Sequence, residues 1–410
     1  MPESDSALVQ LVNKMILDAH TSGVSDIHIE SLPENQSSRL RFRKDGTLAL
    51  YYEVPANYRN ALVSRIKIMA QLDITNHRTS QDGKIDFKQF GPAEIELRVV
   101  TIPTTGGLED VVMRVLAASK PVPIDDLRLA PDSLAALKHL ATRPYGLLLV
   151  CGPTGSGKTT TLHSLLSHIN TPDRKIWTVE DPVEITQPGL RQVQVNSSYG
   201  WTFATAMRCF LRADPDVIML GEMRDDETAG VGIEASLTGH LVLSTLHTNG
   251  ALESAVRLLD MGLDPFNFAD ALLGILAQRL GKTLCKKCKV SYRPGQEEID
   301  MLATEYCTGS TLSPALVRKQ WEAEAKDNQI TLWRGKGCAE CSHTGFRGRV
   351  GIYEFLVVSP AIKRMIQLRA PLAEMQAQAY AEGMRTLKQD GIAKVIMGLT
   401  DITHVRAVCA

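Results

Sequence analysis

Apolar residues recur at helical spacing at Leu8, Leu11, Val12, Met15, Ile16 and Ala19, behind the candidate caps Asp5 and Ser6, and predict an opening helix. The pattern then changes to a period of two. Leu40 and Phe42 alternate with Arg39, Arg41 and Arg43, and Asp45-Gly46 supplies a hairpin turn before TLALYYEV. A second helix is expected around Arg59 to Leu72, with Leu62, Ile66 and Met69 on one face. Further strands are expected at Ile85 and Phe87, and where Ile95, Leu97 and Val99 oppose Glu94, Glu96 and Arg98. These elements describe a small α+β domain over 1–119, followed by a linker at 120–127 that Pro121 and Pro123 stiffen.

A helix from Ser133 to Ala141 then leads to a different kind of pattern. Leu147 to Cys151, Ile176 to Val179, Val217 to Leu220 and Leu241 to Thr245 are short continuous apolar runs, as expected for parallel strands buried on both faces. The economical reading is an α/β, RecA-like doubly wound core over 128–282, with active groups at the C-terminal ends of its strands. Composition changes again after Leu280. A tetracysteine element is expected over 283–350 and a C-terminal helical region over 351–410, where helical stripes from Ser359 alternate with Pro371, Gly383 and Gly398 in a small bundle.

At 410 residues the chain is long enough for two to four domains, and a net charge of −1 gives no bulk attraction for nucleic acid or anionic lipid. Aromatic residues make up 5% of the chain, which offers few stacking platforms for single strands, so no nucleic-acid partner is expected. MPESDSALVQ carries no basic region followed by an apolar core, and no apolar run approaches the length of a membrane span; the expectation is a cytoplasmic protein.

The candidate chemistry centres on LLLVCGPTGSGKTT (147–160). A buried strand, a glycine-rich turn and a helix carrying Leu162, Leu165, Leu166 and Ile169 follow in the order that a P-loop requires. Gly152, Pro153, Thr154, Gly155, Ser156, Gly157, Lys158, Thr159 and Thr160 form the candidate nucleotide cradle. Backbone N–H groups face the phosphates, Lys158 reaches the β and γ positions, and the Thr159 hydroxyl ligates magnesium. ATP and Mg²⁺ are therefore expected. Acidic groups follow the other apolar runs: Glu222 stands where a Walker B carboxylate would hold Mg²⁺ through water, and Glu180 is free to orient an attacking water. Both acids also suit caps of strands or helices. His240 and His247 bracket a strand and suit either γ-phosphate sensing or local hydrogen bonds.

Cys285 and Cys288, then Cys338 and Cys341, make two CxxC pairs that together suit one structural zinc, although the long gap between them also leaves redox or packing thiols open. Cys151, Cys209, Cys307 and Cys409 have no comparable spacing and read as ordinary thiols.

An ordered set of motifs then resembles the type II secretion and type IV pilus assembly ATPases. It comprises SDIHIE (25–30), QDGK (81–84), ELRVVTIPT (96–104), the P-loop, TVEDPVEI (178–185), LRADPDVIMLGEMRDDET (211–228), GHLVLSTLHTN (239–249), AQRL (277–280) and the paired CxxC elements ahead of TGFRGRVGIYE. The resemblance implies a PAS-like N-terminal domain and a hexameric, ATP-hydrolysing motor that moves an inner-membrane platform protein and assembles pilin or pseudopilin subunits. It implies catalytic roles for Lys158, Glu180 and Glu222, with Arg98 and Arg114 brought from the N-terminal domain to the phosphates. On pattern alone Arg98 reads as a solvated arginine. Zinc at the four cysteines is implied for the assembly members, and attachment at the inner membrane is implied through partners. Members usually carry a further N-terminal domain, whereas this chain begins directly at the helix before SDIHIE, as a truncated form or a short homologue would. A related ATPase acting on DNA in conjugation is the alternative.

Overall fold

The period-two segments near the N-terminus pair as one antiparallel sheet, and the continuous apolar runs line up as a second, mostly parallel one. The computed structural model describes residues 2–33, 36–116, 121–196, 199–310 and 312–409. Lys120, the first residue of the expected linker, lies outside the described residues. The chain divides into the units Met1–Lys120 and Pro121–Ala410.

In the first unit, β1 (Asp26–Glu30), β2 (Ser38–Lys44), β3 (Thr47–Val54), β4 (Gln81–Asp86), β5 (Glu96–Thr104) and β6 (Leu108–Leu116) form a sheet in the order β3-β2-β1-β6-β5-β4. Asp45 and Gly46 both take positive φ, 48° and 80°, the backbone that a two-residue hairpin needs for its strands to keep their twist. The first helix spans Pro2–Thr21, so it starts ahead of the Asp5 and Ser6 expected to cap it, and a second spans Arg59–Met69. Val12, Met15, Ile16, Leu62 and Ile66 pack against Ile27, Ile29, Leu40, Leu97, Val99 and Met113, all buried. The sheet thus has one apolar face under helices and one polar face.

Strand β6 was not anticipated, because the buried Glu109 interrupts its apolar alternation. That carboxylate is paired with Lys67, itself fully buried, at 2.5 Å. A charge can stay in this core only with such a partner.

In the second unit, β7 (Gly146–Cys151), β8 (Ile176–Glu180), β9 (Arg191–Gln194), β10 (Val217–Leu220), β11 (Leu241–Leu246), β12 (Leu272–Leu284) and β15 (Phe346–Val357) form a sheet in the order β15-β12-β7-β11-β10-β8-β9. Neighbours pair in parallel except β15, which runs antiparallel to β12. Alternate residues of β7 enter two different cores: Leu147, Leu149 and Cys151 face one side, Leu148 and Val150 the other. Helices Pro131–Ala141 and Lys158–Ile169 cover one face, and Phe203–Phe210, Asp226–Leu237 and Ala251–Asp260 the other.

The cysteine-bearing segment between β12 and β15 holds the hairpin β13 (Lys289–Tyr292) and β14 (Leu332–Gly335) with helices Gln296–Cys307 and Pro314–Glu324. The tail differs from the expected bundle in two ways. Residues 351–357 belong to β15, and the four helices that follow serve separate cores. Ile362, Ile366, Met375 and Ala379 pack under the large sheet, whereas Ile392, Val395 and Val405 pack with Leu302, Ile330 and Leu332. Among the described residues no helix is long and apolar enough to cross a membrane.

Candidate nucleotide site and tetracysteine cluster

Parallel register brings the ends of four strands to one edge. Cys151, which precedes the glycine-rich loop, is level with Leu246; Ser244 is level with Leu220, and Leu220 with Val179. Gly152, Glu180, Gly221-Glu222 and His247 therefore leave the same edge of the sheet. At Gly152, φ is +152°, and a Cβ would stand 2.5 Å from the Gln278 carbonyl oxygen and 2.6 Å from Ser156 Oγ, so no side chain fits. At Gly155 a Cβ would project into open space, with nothing beyond its chain neighbours within 4 Å. The helix Lys158–Ile169 begins at Gly157, φ +89°, with no side-chain cap, so its first N–H groups are available to an anion.

Two further observations fit a phosphate in this loop. The Ser156 hydroxyl oxygen is buried without a protein partner, and the Lys158 ammonium, buried at 9% exposure, donates to the Gly152 carbonyl at 2.8 Å and the Pro153 carbonyl at 3.3 Å. Burial pushes the Lys158 pKa down, and the nearby Glu222 carboxylate pulls it back up. The loop lysine and the acid after β10 thus act on one another. Gln278 in β12, 1% exposed, braces the loop from beneath by donating to the Ser156 carbonyl at 2.6 Å.

Glu222 is held by Arg224 at 2.5 Å and His247 Nε2 at 3.3 Å, one on each carboxylate oxygen. Glu180 sits deeper, at 3% exposure. Its Oε1 accepts from Thr178 Oγ1 at 2.7 Å and Gln192 Nε2 at 3.0 Å, and its Oε2 lies 3.0 Å from His163 Nε2. Thr159, behind Lys158 in the first helical turn, stands on the helix end that faces the loop. His163, Gln187, Gln192, Gln278 and Arg224 were not among the expected site residues. Gln278 and Arg224 had a cue, their places in the AQRL and LRADPDVIMLGEMRDDET motifs.

The expectation that both histidines reach the nucleotide needs correction for His240. It precedes β11, and its carbonyl accepts from the N–H of Gly146 at the beginning of β7, so it belongs to the opposite edge of the sheet. Its Nδ1 lies 3.0 Å from the Ala235 carbonyl. His247, after β11, is the histidine on the loop's edge.

On the polar face of the first unit's sheet, Arg98 of β5 and Arg114 of β6 are direct cross-strand partners, with Lys84 opposite Arg98 on the other side. Like charges set opposite one another oppose pairing of their strands. Local acids compensate only in part: Arg98 meets Asp82 at 3.4 Å, and Arg114 meets Asp26 at 3.0 Å. Both arginine side chains stay substantially exposed, at 39% and 54%.

The tetracysteine cluster is made by strand pairing. β12 ends at Leu284 opposite Phe346 at the start of β15, so Cys285–Cys288 and Cys338–Cys341 meet although Cys285 and Cys338 are 53 positions apart. The four sulfurs lie within 4.8 Å of one another, with Cys285–Cys338 at 3.9 Å, Cys288–Cys341 at 3.8 Å and Cys338–Cys341 at 3.7 Å. Four thiolates about 2.3 Å from a tetrahedral zinc would be separated by about 3.8 Å, so the cluster fits that ion. Desolvation raises the Cys341 thiol, but N–H donors from Cys338 at 3.2 Å and Gly345 at 3.3 Å outweigh it and hold the pKa at about 6.

A family model described as "Type II/IV secretion system protein" matches residues 2–407. The chain is 44% identical over 403 residues to the type IV pilus assembly ATPase PilB of Myxococcus xanthus, covering 98% of this chain and 68% of that protein. It is 41% identical over 407 residues to the type II secretion system ATPase E of Vibrio cholerae, covering 99% and 76%. Against PilB of Thermus thermophilus identity is 41% over 404 residues, 98% of this chain but 43% of that protein, so the chain spans less than half of that relative. Among solved structures, the pilus retraction motor PilT with bound ADP aligns with a TM-score of 0.65 at 24% identity, over 97% of this chain and 96% of that one. The ATPase DotB of Legionella pneumophila aligns at 0.68 and 20%, over 97% and 95%; these two likenesses concern the fold. With its motifs gathered at one sheet edge and a family match along nearly its whole length, the chain belongs to the type II/IV secretion system protein family.

Proposed function

We propose that the chain is an ATP-hydrolysing motor that powers filament assembly in type IV pilus biogenesis or type II secretion. The observation that carries this reading is the convergence of the glycine-rich loop, Glu180 and Glu222 on one edge of a parallel sheet. In it, residues 152–160 cradle the triphosphate, Lys158 neutralises its charge, and Thr159 with Glu222 would hold Mg²⁺, which when bound screens the phosphate oxygens. Glu180 orients the attacking water. Arg98 and Arg114, two exposed cations set side by side without full compensation, supply positive charge to the phosphates when the two units close. Hydrolysis leaves ADP and inorganic phosphate, and release of the phosphate takes away the charge that attracts the two arginines and lets the motor reset.

On this reading the second unit is a RecA-like core carrying a structural zinc element, the first is a PAS-like arginine-bearing domain, and six copies form a ring. Its stroke acts on an inner-membrane platform protein, which would also hold the ring at the membrane. Complementation of piliation and secretion mutants with the full-length protein tests the proposal. Restored output by the parent, and none by Lys158→Ala or Glu180→Gln, is expected. Restored output by either variant contradicts a motor role.

The zinc element makes its own prediction. Protein prepared without chelator should contain about one zinc per chain, and Cys288→Ser should lose it and open the 285–345 segment to protease, because metal affinity at such a site is folding energy. Metal analysis near zero in the parent would remove the claim.

A further inference from the structure

We infer that His163 and Gln187 form an orienting relay that fixes which oxygen of Glu180 is offered to the attacking water; the inference rests on the reading of Glu180 given above. His163 lies on the helix that begins with Lys158, and its ring is fully buried. Gln187, 4% exposed, has its Nε2 3.0 Å from the His163 carbonyl and 2.7 Å from His163 Nδ1. A backbone carbonyl only accepts, so the atom facing it is the amide nitrogen. One of that nitrogen's two hydrogens goes to the carbonyl and the other to Nδ1. Nδ1 is then the acceptor, and the neutral ring carries its proton on Nε2, 3.0 Å from Glu180 Oε2.

The consequence is a count of lone pairs. A carboxylate has about four acceptor sites. Two on Oε1 are taken by Thr178 and Gln192, and one on Oε2 by His163. The site left is on Oε2, beside the imidazole, and a water that reaches Glu180 meets that oxygen. The loop after β8 is closed around the same carboxylate: Gln192 also donates to the Ile185 carbonyl at 2.8 Å and accepts from the Gln187 N–H at 2.8 Å. Because His163 rides on the helix whose first turn faces the phosphates, a shift of that helix is passed to Oε2 through one hydrogen bond. His163 and Gln187 are positioning residues, acting through Glu180.

The test uses the full chain with ¹⁵N-labelled histidine, and the variants His163→Phe, which keeps the ring and removes the donor, and His163→Gln, which restores an N–H. The parent should show the Nε2–H tautomer at His163, and Gln187→Glu, an acceptor where a donor stood, should displace it. In His163→Phe, kcat should fall on the order of 10²-fold with KM and nucleotide Kd within about twofold, and His163→Gln should recover part of the loss. An Nδ1–H tautomer in the parent overturns the relay, as does parental kcat in His163→Phe or a loss confined to nucleotide affinity. A parent that binds ATP but never cleaves it overturns the role of Glu180 instead, while the tautomer still reports on the relay.

Discussion

Glu180→Gln should lower ATP turnover by about 10²- to 10⁴-fold while nucleotide binding persists. The substitution keeps the shape of the side chain, so the buried pocket between β8 and the helix Lys158–Ile169 stays filled. What changes is charge and hydrogen-bond polarity. The carboxylate accepts from Thr178, Gln192 and His163 and donates to none of them. An amide has one accepting oxygen and one donating nitrogen, so whichever way it turns it brings N–H groups against at least one donor. The negative group that would hold the water is also gone. Binding should be spared because in the proposed site the loop and Lys158 hold the phosphates, and Glu180 touches neither among the bonds described. Phosphate-release assays together with fluorescent-nucleotide titration measure the two effects separately; equal loss of both would show that Glu180 supports the fold of the site instead.

Arg98→Ala should lower turnover by about 10³-fold or more, the usual worth of an arginine delivered to a transferring phosphoryl group, if Arg98 has the proposed role. Stability should change little, within about 0.5 kcal/mol, because the side chain is 39% exposed and its contact with Asp82 is long. Removing it even relieves the opposition of Arg98 to Arg114 and Lys84 across the strands. Loss of rate without loss of stability is the signature of a cation kept for a ligand. Thermal melts and steady-state kinetics on assembled protein check both halves, and unchanged turnover would return Arg98 to the solvated arginine that its alternating strand suggests.

What was legible in the sequence depended on how local the cause was. β7 could be read because burial on both faces makes an unbroken apolar run, and the β2–β3 hairpin because alternation and Asp45-Gly46 agree. β6 could not, since Glu109 is buried against a lysine 42 positions earlier, at Lys67. β12 and β15 were hidden for a related reason. Gln278 is buried to brace the loop rather than to fill a core, and nothing in either segment announces its antiparallel partner. β9, the short RQVQ at the sheet edge, carries no apolar pattern at all.

The site divides in the same way. The loop, Lys158, Glu180 and Glu222 stand in compact motifs whose chemistry is legible one segment at a time. The residues that hold Glu180 in position are scattered, His163 and Gln187 being 24 positions apart, and only the fold brings them together. His240 misled because bracketing a strand sounds like proximity, whereas the two ends of a six-residue strand lie roughly 20 Å apart on opposite edges.

The most direct measurement of the central claim is phosphate release by the purified, assembled protein with ATP, with and without magnesium, beside Lys158→Ala. Sustained magnesium-dependent release by the parent, absent in the variant, is the predicted result. No release by the parent, or release that survives the loss of Lys158, contradicts an ATP-driven motor built on this loop.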